Sequence, residues 1–360
     1  MRVIQLIDSL EAGGAERIAV NYANALSAAI AYSGIVATRQ EGVLKAALHD
    51  TTQYLFLNKK STFDTAALMR LRAFVKTNRV GIVHAHGTSY FTAVLLKIIY
   101  PQIKIIWHEH YGARASQRST ANIVLILCSF FFAMVFVVNH QLEVWVRKRL
   151  AVRRVFYIPN FAIDDRIGTQ PLTELKGLPG KRIVMLANLK DPKNHIVVLQ
   201  AFKQLQLTTA DWTLHLIGKD YNDPYAAGLK DFIIEHGLSD KVFIYGVHSD
   251  IQHILSQSDI GILSSLQEGF PVSLLEYGLA GLAVLSTDAG YCAEIIRNDE
   301  TGLLFDPQNV EQISQHLRNL ISDSRLRGRF GLSLQKLVHE NYTMDTVLAM
   351  LLSKYRLISK

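Results

Sequence analysis

The sequence predicts an α/β fold in which two doubly wound domains, each built on a parallel sheet, face each other across a cleft. Its 360 residues exceed what one hydrophobic core usually covers. Short apolar runs alternate with longer stretches of helical periodicity, which is typical of parallel sheets covered by helices. The alternation restarts after the segment RRVFYIPNFAID, near Pro159 and Asn160. We therefore predict a first domain at residues 1–161 and a second at residues 162–343.

The strands are predicted from short apolar runs bounded by turn residues. These runs begin at residues 3, 34, 54, 81, 104 and 134 in the first domain, and at residues 182, 212, 241, 259, 283 and 302 in the second. Helical periodicity follows them, most clearly from Ala15 to Ala29, directly after a glycine pair. Because ligands bind beyond the carboxyl ends of such strands, we expect functional residues just after the apolar runs.

One apolar run, from Ile123 to Val138, raises the question of a membrane span. It has only 16 residues, whereas a spanning helix needs roughly 20. We therefore predict a buried helix followed by a buried strand. Asn139 is expected to end the strand and to cap a helix that begins near Gln141.

The charge of the chain is unevenly distributed. Residues 1–162 carry 19 Lys and Arg against 8 Asp and Glu, a net charge of +11, whereas residues 163–360 carry 19 against 23, a net charge of −4. A basic surface attracts anionic lipid headgroups or nucleic acid. No nucleic-acid motif accompanies these residues, so a membrane surface is favoured over nucleic acid. A solvated surface without a partner stays open as the alternative.

Cysteine usage and the first residues bear on the compartment. Cys128 and Cys292 lie far apart, without metal-type spacing or partners for a disulfide framework. The first ten residues reach Asp8 too early for the apolar core of a signal peptide. We expect a cytoplasmic protein, with peripheral binding to the inner face of the membrane as a possibility.

In the first domain, two motifs follow strands. Gly13 and Gly14 lie between the first strand and a helix, where glycine permits close approach of an anion to the helix start, although ordinary loop geometry is the commoner reason for such glycines. Two strands end in histidine pairs, His84 with His86 and His108 with His110. Metal ligation would need four ligands from separate strands and is disfavoured. Hydrogen bonding to a polar substrate or a structural role stays open for each histidine.

In the second domain, LANLKDPKNH places Lys190 and Lys193 before a helix, where an ammonium opposes the helix dipole unless a phosphate is bound. The motif LIGKD puts Gly218 at a strand end. Neither motif matches the phosphate-binding pattern GxxxxGK[ST].

The most informative motif is EGFPVSLLE, which holds Glu268 and Glu276. Glu268 follows a strand, Gly269 to Pro271 shape a loop, and a helix is predicted from Val272. Backbone N–H groups of Val272 and Ser273 would point at an anion, while the carboxylates accept hydrogen bonds from hydroxyls. A hydrolase acid and base is the alternative, but a helix start with lysine nearby favours ionised acceptors.

These residues resemble the retaining, nucleotide-sugar-dependent glycosyltransferases of family 4, which have the GT-B fold. The motifs occur in the family's order: GGAE at residues 13–16, the strand ends HAH and HEH, IPN at 158–160, KNH at 193–195, LIG at 216–218, EGFP with a second glutamate eight residues on, and GLLFDP at 302–307. The resemblance implies that residues 344–360 form a helix that packs back on the first domain. It also implies that the first domain binds the acceptor and the second the donor.

The resemblance also implies roles for individual residues. Glu276 would hold the ribose hydroxyls, Glu268 the donor sugar, and Lys193 the diphosphate. His110 would lie near the donor sugar and acceptor, and residues 246–250 beside the base. The implied catalytic residues are His110, Glu268 and Lys193, and the implied donor-binding residues are Gly13, Gly14, Asn188, Lys193, Gly218, Gly246, Glu268, Gly269, Phe270, Pro271, Val272, Ser273 and Glu276.

Asn188 departs from the family, whose members commonly have a basic residue five positions before the lysine. The resemblance implies transfer of a sugar from a nucleotide diphosphate sugar, with a UDP-sugar favoured, to a glycan or polyprenyl-linked acceptor in cell-surface polysaccharide synthesis. It implies no cofactor and no metal. A non-catalytic sugar-nucleotide or lipid-binding partner, or another GT-B enzyme such as an epimerase, is the alternative.

Overall fold

The computed structural model describes residues 1–112, 114, 122–163, 172–205 and 211–359. The chain divides into two compact units. The first comprises Met1–Phe161 with Met344–Lys360, and the second comprises Ala162–Thr343. Each unit has its own parallel sheet, so the predicted class of two doubly wound α/β domains is confirmed.

The first unit is built on a seven-stranded sheet of order β3-β2-β1-β4-β5-β6-β7, in which all pairings between the described strands are parallel. Its strands are β1 (Arg2–Ser9), β2 (Tyr32–Gln40), β3 (Gln53–Phe56), β4 (Ile82–His86), β5 (Lys104–Glu109), β6 (Phe132–Val137) and β7 (Val155–Tyr157). The six predicted runs form the first six strands. The edge strand β7 is absent from the prediction, because three residues beside Pro159 are too short to give a periodic signal.

The helices of the first unit connect these strands. They are α1 (Gly14–Ala29), α2 (Thr65–Thr77), α3 (Tyr90–Ile99), α4 (Ile123–Cys128), α5 (His140–Arg149) and α13 (Met344–Arg356), with 3₁₀ turns at Val43–Ala47, Gly87–Ser89 and Ser129–Phe131. Helix α13 packs against α1. The predicted cap of α5 is confirmed, since the Asn139 side chain accepts a hydrogen bond of 2.8 Å from the backbone N–H of Leu142.

The apolar run from residue 123 to 138 forms a helix and a strand, as predicted, but the prediction that the helix is buried is wrong. In α4 only Leu125 and Cys128 are buried, whereas Leu127 is 62% exposed. An entirely apolar run gives no indication of which side of a helix faces solvent, and only one side packs here. Among the described residues, no helix is both long and apolar enough to cross a bilayer.

The second unit is built on a six-stranded parallel sheet of order β10-β9-β8-β11-β12-β13. Its strands are β8 (Arg182–Leu186), β9 (Thr213–Ile217), β10 (Val242–Gly246), β11 (Ile260–Leu263), β12 (Ala283–Thr287) and β13 (Leu303–Phe305). Its helices are α6 (His195–Leu205), α7 (Pro224–Glu235), α8 (Ile251–Ser256), α9 (Val272–Leu279), α10 (Cys292–Ile295), α11 (Val310–Ser322) and α12 (Ser324–Asn341). All six predicted strands are present.

The strand orders locate a switch point in each sheet. In the first unit the chain runs outward from β1 to β3 and then returns to place β4 beside β1. In the second unit it runs outward from β8 to β10 and returns to place β11 beside β8. Loops that leave neighbouring strands in opposite directions open a crevice beyond the carboxyl ends. The residues after β8 and β11 therefore lie where ligands bind in sheets of this class.

Candidate functional site

A close ion pair lies at the switch point of the second unit. Lys193 follows β8 and Glu268 follows β11, and Lys193 Nζ lies 2.6 Å from Glu268 Oε1. The two side chains are 26% and 10% exposed, so the pair is largely shielded but open to a ligand. Parallel neighbouring strands deliver both loops to the same edge, which explains how residues far apart in sequence meet.

The two loops of this ion pair are also bonded to each other. Ser264, the first residue after β11, donates its hydroxyl to the carbonyl oxygens of Lys193 at 3.0 Å and Asn194 at 3.1 Å. The backbone N–H of Leu266 donates to the carbonyl of Pro192 at 2.9 Å. Because Ser264 is fully buried, these bonds are shielded from competing water and fix the position of Lys193.

Helix α9 begins directly beside the ion pair. Pro271 is its N-cap residue, and Val272 and Ser273 are its first helical residues. The N–H groups of a first turn have no acceptor within their helix and favour an anion. Glu276, one turn further on, is 7% exposed. The geometry therefore groups an ammonium, two carboxylates and a helix start, which suits a ligand that combines phosphate with hydroxyls.

Within the same motif, the Phe270 side chain has a packing role. Its ring lies 5.3 Å from the Tyr291 ring and 5.4 Å from the Tyr342 ring, measured between centroids, and the residue is 4% exposed. The Phe270 ring thus anchors the loop that carries Glu268 and Gly269.

Gly290 also shapes this loop and was missed in the sequence. A Cβ atom at Gly290 would overlap the backbone carbonyl of Glu268, and its φ of 64° lies in the left-handed region. Close packing against the Glu268 backbone therefore requires glycine. The TDAG segment that contains it follows an apolar run, and that position was the one available signal.

Asn188 and the two glycines of the neighbouring strand ends form a second group. Asn188 Oδ1 accepts a hydrogen bond of 2.9 Å from the backbone N–H of Lys219, and Gly218 N–H donates to the Gly246 carbonyl at 2.8 Å. A Cβ at Gly218 would overlap the Ala187 carbonyl, so packing alone explains this glycine. Asn188 thereby serves as an acceptor that holds two strand ends together.

Two lysines lie close to the position where Asn188 lacks a charge. The ammonium of Lys219 lies 5.3 Å from the centre of the Tyr221 ring, and that of Lys190 lies 6.0 Å from it. Lys219 was not singled out in the sequence, although it directly follows Gly218. Either cation is placed to add positive charge near the β8 and β9 ends.

In the first unit, the glycine pair forms the start of α1. Gly13 is the N-cap residue and its carbonyl accepts the hydrogen bond of 2.9 Å from the Arg17 N–H. A Cβ at Gly14 would meet no atom within 4 Å. Open space at Gly14 leaves room for a ligand at this helix start, at the first unit's own switch point.

The four strand-end histidines form one cluster, which we call the histidine quartet: His84, His86 and His108, which are buried, and His110, which is half-buried. His84 Nε2 and His108 Nδ1 are 3.2 Å apart, and His86 Nδ1 and His110 Nε2 are 2.9 Å apart. The two hydrogen-bonded pairs stack on each other, with ring centroids 4.5 Å apart for His84 and His86 and 4.1 Å apart for His108 and His110. The sequence did not predict that these imidazoles bond to one another.

Hydrogen bonding fixes the tautomers of half the quartet. Gln5 Oε1 can only accept, so His86 Nε2–H donates to it at 2.9 Å, and neutral His86 then has a bare Nδ1. His110 therefore donates its own Nε2–H to His86. Burial lowers the pKa of His110 to about 3, with hydrogen bonding between His110 and Asn160 acting in the opposite sense. His110 is a neutral imidazole whose orientation is set by Gln5 and His86.

His84, His86 and His108 offer nitrogen atoms that all lie within 4.8 Å of one another, as metal ligands would. Binding an ion there would break the imidazole bonds just described. It would also bury a divalent charge among neutral ligands, because the one buried carboxylate close in sequence, Glu109, is paired with Arg114. A structural role for these three histidines fits the geometry better than metal binding.

Comparison with known proteins agrees with the motif analysis. Residues 12–166 match the family described as Glycosyltransferase Family 4, and residues 174–336 match the one described as Glycosyl transferases group 1. The two matches follow one another along most of the chain, and the chain belongs to the family 4 glycosyltransferases.

Two curated relatives match in part. An exopolysaccharide phosphotransferase of Streptomyces coelicolor is 28% identical over 276 residues, which is 76% of this chain. The N,N'-diacetylbacillosaminyl-diphospho-undecaprenol alpha-1,3-N-acetylgalactosaminyltransferase of Campylobacter jejuni is 36% identical over 112 residues, or 31% of this chain. The aligned region spans 28% of each relative's own length.

Among solved structures, Anabaena HepE in complex with UDP-glucose has a TM-score of 0.84 and 15% sequence identity, and the alignment covers 99% of this chain and 100% of HepE. At this identity the likeness establishes the fold.

The packing of Gly290 predicts an unequal effect of alanine at two glycines. Gly290→Ala should lower the free energy of unfolding by about 1 kcal/mol or more beyond Gly237→Ala, measured by urea denaturation. Gly237 is the matched control, since its φ is 63° but a Cβ there meets no atom within 4 Å. Equal losses would show that the Glu268 backbone does not depend on Gly290.

The buried histidines predict that the protein loses stability in acid. Burial lowers the pKa values of His84, His86 and His108 well below 6.5, so the folded state stays neutral where the unfolded chain binds protons. Stability is therefore complete above the unfolded pKa of about 6.5 and falls as the pH decreases towards the folded values. Each quartet histidine should lower the free energy of unfolding by about 1.4 kcal/mol for each pH unit below 6.5.

The measurement is the free energy of unfolding in urea at about pH 7.5 and about pH 5.5. His195 and His215, whose pKa values burial lowers to about 4, add to the loss in the second unit. His108→Leu should make the pH dependence shallower by about one bound proton. An unchanged slope in that variant would contradict the neutral quartet.

Proposed function

We propose that the protein is a retaining glycosyltransferase that moves a sugar from a nucleotide diphosphate sugar, with a UDP-sugar favoured, to a hydroxyl of a glycan or polyprenyl-linked acceptor. The observation that carries this proposal is the Lys193–Glu268 ion pair beside the start of α9, with Glu276 one turn along that helix. Those groups match the charges and hydroxyls of a diphosphate that links two sugars.

In this proposal the donor is held by groups of complementary chemistry. The Lys193 ammonium and the first N–H groups of α9 bind the diphosphate. Glu276 accepts hydrogen bonds from the ribose hydroxyls, and Glu268 accepts them from the transferred sugar. The loop that begins at Gly246 lies beside the base. The ion pair that joins Lys193 to Glu268 at 2.6 Å is then replaced by contacts with the ligand.

Transfer proceeds on one face of the sugar. The bond between the anomeric carbon and the diphosphate oxygen breaks, and the acceptor oxygen bonds to the same face of that carbon. The acceptor's proton passes to the leaving diphosphate. Lys193 and the α9 dipole stabilise the charge that develops on the diphosphate, which is electrostatic catalysis without a covalent enzyme intermediate. His110, neutral and oriented by His86, offers a polar contact to the acceptor, which we propose the first unit binds.

The charge of the leaving group is the point at which this chain differs from the family pattern. Asn188 supplies no cation, so Lys193 carries more of the stabilisation. Lys219 and Lys190, which lie beside Tyr221, are the cations that we propose compensate for it. We propose no metal and no cofactor for the reaction.

The relatives support the acceptor class. The Campylobacter jejuni enzyme is named for an acceptor linked to diphospho-undecaprenol, and the Streptomyces coelicolor protein for exopolysaccharide. We propose that the protein acts in cell-surface polysaccharide synthesis, in the cytoplasm at the inner face of the membrane.

Removing the Lys193 ammonium, or the Glu276 carboxylate proposed to bind the ribose hydroxyls, should impair transfer. Lys193→Met and Glu276→Gln are each expected to lower kcat/KM by a factor of about 10²–10³, because each removes a contact in a water-poor site. Release of UDP, measured with a panel of UDP-sugars and a polyprenyl diphosphate-linked acceptor, is the assay. Lys181→Met is the matched control, since Lys181 forms a surface ion pair of 2.8 Å with Asp211. Undiminished turnover in Lys193→Met would refute the donor site.

Chelation tests the proposed absence of a metal. With EDTA present, the initial rate of UDP release should stay within experimental error of the untreated rate, because Lys193 and α9 carry the charge. A loss of activity that Mg²⁺ or Mn²⁺ restores would contradict this proposal and leave the donor assignment intact.

The uncharged Asn188 favours a second candidate, a non-catalytic protein that binds sugar nucleotide or lipid. If the protein is of this kind, calorimetry should detect binding of the donor, and no UDP should be released from the donor with any acceptor. Turnover that exceeds spontaneous hydrolysis of the donor would exclude this candidate.

A further inference from the structure

A cluster of exposed apolar side chains lies on the first unit, outside the candidate site. It is made by α4 and the 3₁₀ turn that follows, and we call it the α4 patch. Its members are Ile123 at 60% exposure, Val124 at 47%, Leu127 at 62%, Phe130 at 72% and Phe131 at 42%. Single exposed apolar residues are ordinary, but five within nine consecutive positions mark an interaction surface.

The neighbouring helices extend this apolar surface. Helix α3 packs against both α4 and α2. On α3, Ile98 is 58% exposed, and on α2, Met69 is 54% exposed. Each of these two neighbouring helices therefore adds one exposed apolar side chain.

The charges of the same part of the chain are almost all positive. Residues 65–142 contain eight Lys and Arg and a single acidic residue, Glu109. The basic residues are Arg70, Arg72, Lys76, Arg79, Lys97, Lys104, Arg114 and Arg118. Glu109 is fully buried and forms an ion pair with Arg114. Among the described residues of this stretch no carboxylate is exposed, and the residue directly before it is Asp64, which is half-buried and caps α2.

We propose that the α4 patch inserts into an anionic phospholipid bilayer, with the basic residues of α2 contacting the headgroups. Burial of exposed leucine and phenylalanine in the acyl region lowers the free energy of the membrane-bound state. Attraction between nearby lysine or arginine and the negative headgroups lowers it further. No described helix can span a membrane, so insertion is shallow. A second copy of this chain fits poorly, because two such faces would bring like charges together.

Membrane binding by this patch rests on the proposed function for its purpose, because a polyprenyl-linked acceptor is itself held in a bilayer. Lipid binding is nevertheless measurable without any transfer reaction. The patch residues are absent from the proposed donor site, so the two can fail separately.

The test is co-sedimentation of the full chain with vesicles of phosphatidylcholine alone or mixed with phosphatidylglycerol. Binding should require phosphatidylglycerol and weaken with sodium chloride, since the Debye length shrinks from about 10 Å at 0.1 M to about 3 Å at 1 M. The double variant Leu127→Ser, Phe130→Ser should lower the affinity for these vesicles by a factor of about ten or more. Lys76→Gln should weaken binding at low salt by less than the double variant does, and it should make binding less sensitive to salt.

The matched control is Ile234→Ser with Leu332→Ser, two residues of the second unit that are 68% and 70% exposed. This control should bind vesicles as the wild type does. Release of UDP with a water-soluble acceptor should be equal in wild type, patch variant and control, which separates docking from transfer.

Three outcomes would overturn the proposal. The wild type may fail to pellet with phosphatidylglycerol vesicles, or the patch variant may pellet as well as the wild type. Alternatively, sedimentation equilibrium may detect a dimer that the patch variant dissociates, which would make the face a contact between copies of this chain.

Discussion

The candidate site depends on one constraint, the adjacency of β8 and β11 in a parallel sheet. Their carboxyl ends lie side by side, so the loops that carry Lys193 and Glu268 meet although 75 positions separate them. Ser264 then bonds the loops together, and Gly290 packs against the backbone of Glu268. Helix α9 begins where this arrangement leaves its first N–H groups beside the ion pair. Few of these contacts would form if another strand lay between β8 and β11.

The sequence predicted the sheet strands well because each buried parallel strand is an apolar run between turn residues. It also predicted which loops carry Lys193, Glu268 and Glu276, since function collects after strand ends. It could not predict contacts that depend on neighbouring loops, such as the packing of Gly290 or the ring cluster around Phe270. Exposure of α4 was missed because composition does not indicate which face packs.

The histidine quartet illustrates a second limit of sequence reasoning. Alternation correctly indicates that His84 and His86 share a face of β4, but two histidines per strand can serve a metal, a substrate or each other. Only the side-by-side pairing of β4 and β5 places His84 against His108 and His86 near His110. The resulting network links Gln5 on β1 to His110 beyond β5, so the orientation of one strand-end side chain depends on three strands.

The pairing of Lys193 with Glu268 has a consequence for selectivity if the proposed donor binds here. The Lys193 ammonium is paired with the Glu268 carboxylate, so this pair adds little net positive charge that would attract other anions. Inorganic phosphate could take Lys193 only by leaving the largely buried Glu268 carboxylate without its counterion. A nucleotide sugar offers phosphate to one partner and hydroxyls to the other. Discrimination between an intact donor and its fragments is therefore built into the resting ion pair.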